Sequence, residues 1–155
     1  MAMRRLWWLF VVLVVAGCGG AAKEAPPTPA ASAPALFCGK DSVTISSPPA
    51  GAPRRFAGLK LLNKPDKVRV RGLAWDGAQI GVVCGVTSAE HFATLVRTAH
   101  LDMHNGRPAL RWTSKSLHYL MWLDRPGTAV FVGAPAKELP QLVENIKVVN
   151  PSTTG

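Results

Sequence analysis

Acidic side chains are scarce in this 155-residue chain: nine Asp and Glu stand against 18 Lys and Arg, a formal net charge of +9. Two of the carboxylates, Asp76 and Asp124, lie in turn sequences (Asp-Gly and Asp-Arg-Pro-Gly) and are read as turn residues. Little is left for general acid–base work. No Gly-x-Ser-x-Gly, Gly-rich phosphate loop or His-Glu-x-x-His occurs, so the motifs of acyl transfer, nucleotide binding and zinc proteolysis are missing. The expectation is a protein that is not an enzyme, with no catalytic residues and no cofactor. No internal repeat is visible. The three cysteines include no Cys-x-x-Cys, which removes the usual dithiol redox motif. The longest apolar run, residues 6–15, falls well short of the roughly 20 residues that span a bilayer as a helix.

That short run has a specific context. Arg4 and Arg5 precede it and the small pair Ala16-Gly17 follows, the layout of a secretion signal. Val15-Ala16-Gly17-Cys18 resembles the lipobox of bacterial lipoproteins, with Val where Leu is usual. The resemblance covers only this N-terminal stretch. It implies that residues 1–17 are a signal peptide, that the Cys18 sulfur carries diacylglycerol, and that Cys18 becomes an N-terminus that is often acylated, as with palmitate. Each buried methylene adds roughly 0.8 kcal/mol, so two or three acyl chains hold a soluble domain at a membrane. The implied location is the bacterial cell envelope. Gly19 is not the Asp that favours inner-membrane retention in such lipoproteins, which points to the periplasmic side of the outer membrane in a Gram-negative cell.

Residues 18–36 run from Cys18 through a stretch of mainly Gly, Ala, Pro and Ser with one Lys and one Glu, too Pro-rich and poor in large apolar residues to bury a core. They read as a disordered linker reaching up to about 3.1 Å per residue. Residues 37–149 form one globular domain of ordinary size, and residues 150–155 a flexible tail. Losing the signal removes two basic residues, so the mature chain keeps 16 against nine acids. Cys38 and Cys84 lie beyond the linker of an exported chain, where an even pair is most simply a disulfide.

Within the domain, Val68 and Val70 alternate with Arg69 and Arg71, and Asp76-Gly77 separates two apolar runs, which predicts a β-hairpin carrying Cys84. Thr87 and Ser88 can cap a helix, with Glu90 in capping-box position. Phe92, Leu95, Val96, Ala99 and Met103 then recur at helical spacing up to Asn105-Gly106, predicting a helix over 88–104. The segment 109–134 reads as a three-stranded meander, a last helix starts near Pro140 and lays Leu142, Val143 and Ile146 on the sheet, and 43–46 and 59–62 are candidate strands. The expected fold is α+β: a single small domain, an antiparallel sheet with about two helices packed on one side.

Three clusters can carry function. In His100-Leu101-Asp102-Met103-His104 the two histidines, four apart, lie on one face of the expected helix and are a metal pair only if His118 or an acidic residue completes the site. The alternative is that histidines in a last turn meet the helix dipole, and no metal site is expected. Trp75, Trp112 and Trp122 read as core or core rim, or else as a stacking surface for sugars or a lipid headgroup. Finally, Arg54, Arg55, Lys60, Lys64, Lys67, Arg69 and Arg71 face a single acid, Asp66. For an exported, tethered chain nucleic acid is not the partner. Of these, Arg54, Arg55, Lys67, Arg69 and Arg71 are the candidate surface for anionic lipid, an acidic wall polymer or an envelope protein. The expected function is a non-enzymatic binding or accessory domain at membrane or wall. The alternative is a carrier or sensor of a lipid or other hydrophobic ligand, held in a cavity between sheet and helices.

Overall fold

The structure, a computed structural model, describes residues 33–56, 58–62 and 67–153. Cys18, the signal segment, most of the linker, Lys64 and Asp66 lie outside the described residues. The chain builds β1 (Ala35–Cys38), β2 (Asp41–Ile45), β3 (Arg54–Phe56), β4 (Arg69–Trp75) and β5 (Ala78–Cys84), then a short α1 (Ala89–Ala93). It continues through β6 (His100–His104), β7 (Arg107–Ser114), β8 (Leu117–Arg125) and β9 (Thr128–Ala134) to α2 (Leu139–Glu144) and β10 (Ile146–Val149).

All strands pair antiparallel, in a seven-stranded sheet of order β3-β4-β5-β9-β8-β7-β6 and a three-stranded sheet of order β1-β2-β10. The α+β expectation is therefore corrected to a sheet-dominated fold. Its two helices are short, five and six residues, and sit on opposite faces of the large sheet instead of one. The expected strand at 59–62 is loop, and Ile146 opens β10 instead of extending the last helix.

The hairpin of β4 and β5 turns at Asp76-Gly77 as expected, with Gly77 at φ +76. The meander of β7, β8 and β9 also forms. Its middle and last strands, with β5, are apolar on both sides because both faces of the sheet are covered. One face carries the three-stranded sheet and α2: Val43, Ile45, Leu139, Leu142 and Val143 meet Ile80, Val82, Trp122, Val130 and Val132. On the other face, Phe92 of α1, Leu95 and the loop residues Leu59 and Leu61 cover Val83, Leu110, Met121 and Phe131. There Gly81 lies opposite Phe131 and Gly133 opposite Tyr119, and a Cβ at either glycine would run into the facing ring.

Cys38 and Cys84 are disulfide-bonded, with Cα atoms 5.3 Å apart. The bond ties β1 of the small sheet to β5 of the large one. A second tie is polar: buried Asp41 of β2 accepts from Thr128 Oγ1 of β9 at 2.5 Å and from Asn150 Nδ2 at 2.7 Å, and Arg125 Nη1 lies 3.5 Å away. Asn150, expected in the flexible tail, is thus bound into the domain.

Candidate functional site

The sequence His100-Leu101-Asp102-Met103-His104 is a strand, not the last turn of a helix. The helix begins where expected, with Ser88 Oγ accepting from His91 N at 3.1 Å, but it ends at Ala93. Asn105 and Gly106, both at positive φ (51 and 75), make a two-residue hairpin turn into β7. Neither the metal-pair geometry nor the helix dipole survives this change. Four residues along a strand separate His100 from His104 by about 13 Å.

As a strand the segment does something else. His100, Asp102 and His104 share one side, beside Arg111, Ala109 and Arg107 of β7 in register, and these continue into His118, Leu120, Trp122 and Asp124 of β8. This is the part of the large sheet that the small sheet leaves open. It forms the floor and one wall of a groove of about 880 Å³, whose other wall is Leu139, Pro140 and Val143 of α2 with Ile146 and Val148 of β10. The groove is polar on one side and apolar on the other.

Of the carboxylates in and beside it, Asp124 and Asp102 are engaged by arginines, while Glu144 stands exposed on the α2 wall. Asp124, read from sequence as a turn residue, is instead the extra residue at a β-bulge between Leu123 and Arg125. Its side chain is 3% exposed and accepts from Arg107 Nη1 at 2.6 Å and Arg125 Nε at 3.1 Å. Asp102 pairs with Arg111 Nε, and its Oδ1 accepts from the Met103 N–H at 2.8 Å. The Arg111 bond first, and the Met103 N–H second, hold the Asp102 carboxyl below its ordinary value. His104 packs against Trp122, ring centres 4.8 Å apart and planes tilted by 50°. Burial first, then the charges of Arg111 and Arg107, push its pKa below the ordinary imidazole value. Arg107 and Arg111 remain about half exposed with guanidinium donors to spare, and His100 and His118 are exposed. The groove thus offers mostly donors, which suits a ligand with carboxylate or phosphate oxygens.

The three tryptophans Trp75, Trp112 and Trp122 are all buried, so none is an open stacking platform. Trp112 instead stacks on Tyr119, ring centres 4.9 Å apart, while Tyr119 Oη donates to Gln79 Oε1 at 2.7 Å.

The basic candidates fall on the opposite edge of the large sheet. Arg69 and Arg71 are exposed on the side of β4 away from Val68 and Val70. Arg55 of β3 joins them, because its register partner Leu73 has their orientation along β4. Arg54, one residue earlier, faces the other side, and Lys67 is an exposed residue leading into β4. The structure therefore brings three of the five together. Arg71 Nη1 also donates to the carbonyl of Phe37 in β1 at 3.3 Å, placing this edge where the linker joins the domain.

No family model, curated protein or solved structure matches this chain. The sites must be read from their own geometry. Arg107 and Arg111 carried no signal in the sequence, and His118 and Asp124 were read there for other roles, because what unites the four is strand register and not spacing.

Proposed function

We propose that this chain is a lipid-anchored protein of the bacterial cell envelope, attached through Cys18, whose β-rich domain is a non-enzymatic binding module. The observation that carries the reading is the Arg71–Phe37 contact: the basic edge of Arg55, Arg69 and Arg71 lies beside the strand into which the linker runs. A domain tethered there presents its cationic edge to the surface that holds the tether. Anionic lipid is the partner this favours, with attraction of roughly 1 kcal/mol per basic side chain near such a surface.

The test uses the domain without its lipid, residues 32–155, which form one compact unit. It should bind vesicles containing anionic lipid at low salt and release at high salt, since the Debye length falls from about 10 Å at 0.1 M to about 3 Å at 1 M. Arg69→Glu with Arg71→Glu should weaken binding several-fold with the circular dichroism spectrum of the folded domain retained, although the Arg71–Phe37 hydrogen bond is lost. Indifference to anionic vesicles at low salt would rule the reading out.

The groove favours a second reading, a carrier of an amphiphile with an acidic head. Its apolar wall on α2 and β10 would take the tail and its donors the head. A soluble alkyl phosphate that shifts the fluorescence of the native domain, and fails to shift that of Arg107→Gln with Arg111→Gln, would support the carrier. Binding of vesicles alone supports the module.

A further inference from the structure

Four large apolar side chains are well exposed among the described residues, and two of them, Leu101 (70%) and Met103 (61%), lie on β6. Among the described residues this strand ends the seven-stranded sheet, with β7 on one side only. In the tight hairpin His104 and Arg107 flank the turn and exchange hydrogen bonds, as then do Asp102 with Ala109 and His100 with Arg111. The N–H and C=O groups of Leu101 and Met103 therefore point outward. Such an edge is a template for another strand unless something blunts it. The one blunting device in view is the Asp102 carboxylate on the Met103 N–H.

We propose that two copies of this chain associate by pairing their β6 strands antiparallel about a two-fold axis at Leu101, joining their large sheets into one. The register follows from side chains. With Leu101 opposite Leu101 of the second copy, the outward groups of Leu101 form a reciprocal hydrogen-bonded pair and the two most exposed apolar side chains cover each other. His100 then faces Asp102 of the second copy, twice over, so an imidazole N–H meets a carboxylate acceptor at two symmetry-related places. Met103 N–H meets the Ala99 carbonyl, which frees Asp102 Oδ1 to turn to that imidazole. Moving the axis by one residue would set Asp102 against Asp102, like charges face to face, which disfavours it. An isologous contact of this kind closes at two copies and does not propagate. It stands apart from the membrane reading, because β6 is the edge opposite the basic one.

The experiment is cross-linking of the full chain in its own membranes. Leu101→Cys should give a reducible dimer under mild oxidation, because residues opposite in a hydrogen-bonded pair have Cα atoms about 5.5 Å apart, within disulfide reach. Met103→Cys should not, since its counterpart in the second copy lies across four residues of strand, and the unsubstituted chain should not. In detergent solution, light scattering should give twice the chain mass for the unsubstituted protein, and Leu101→Lys should lose the dimer with an unchanged circular dichroism spectrum. Equal cross-linking of both cysteine variants, or a monomer at every concentration together with no Leu101→Cys dimer, would overturn the proposal. Should Leu101→Lys misfold, the cysteine pair still decides.

Discussion

His104 shows how one side chain can change meaning with its backbone. On a helix end it would be a cation at a dipole. On β6 it is half-buried against Trp122 between two arginines. Burial and those charges hold its pKa below 6.5, the ordinary value. The unfolded chain therefore takes up the proton first as pH falls, and unfolding gains on folding from about pH 6.5 downward, levelling off below the folded-state pKa. Stability tied to His104 is full above that window and lost within it. Asp102, also depressed, acts in the same direction but only below its ordinary value of 3.8. His104→Gln should flatten the pH dependence of the urea midpoint between pH 7 and pH 5, while leaving the more acidic limb in place. Parallel pH curves for variant and parent would show that His104 is not the group responsible. The groove to which His104 belongs was illegible in the sequence for a physical reason. His100, Arg111 and His118 sit on three successive strands at no regular spacing, and only cross-strand register sets them in neighbouring rows.

At the scale of elements, turns were legible and periodicity was not always. Asp76-Gly77 predicted its hairpin, and the two breaks of the meander predicted theirs, because turn residues are demanded by backbone geometry. Asn105-Gly106 was ambiguous: positive φ serves both a helix C-terminus and a two-residue hairpin. The apolar spacing through Phe92, Leu95, Val96 and Ala99 favoured the helix, and the structure ends it after one turn. A strand at 100–104 was concealed because its apolar residues face outward and its polar ones line the groove, the reverse of the usual pattern. The disulfide was legible from the expected export and an even pair of cysteines beyond the linker, and it joins two sheets that otherwise meet through Asp41, the Arg71–Phe37 hydrogen bond and apolar contact. With the cysteines 46 positions apart in sequence, the chain-entropy estimate for the bond is about 4 kcal/mol. Replacing both by Ala should lower the unfolding free energy by up to that amount, with amide exchange rising first in β1. Asp41→Ala, which strips an acceptor from Thr128, Asn150 and Arg125, should cost about 3 kcal/mol. Unchanged denaturant midpoints in both variants would mean that apolar contact alone holds the small sheet in place.

For the whole molecule the two proposals give the two edges of the large sheet different tasks. Arg55 and Arg71 stand at the end where the linker arrives, and Leu101 at the other. Six strand-to-strand steps of about 4.8 Å separate β3 from β6, roughly 29 Å. That exceeds the Debye length of about 8 Å at physiological ionic strength, so a charged surface felt strongly at one edge is screened at the other. A tethered domain can then rest its basic edge on the membrane and keep β6 free for a second copy. Amide exchange of the full chain, reconstituted in vesicles, separates the two tasks. Changing neutral vesicles for anionic ones should slow exchange in Arg54–Phe56 and Arg69–Trp75 and leave His100–His104 unchanged. Raising the protein density at fixed lipid composition should do the reverse, slowing exchange at Leu101 and Met103 alone. If anionic lipid slowed β6 as much as β3, the domain would lie otherwise than proposed, and the basic edge would be an ordinary solvated surface.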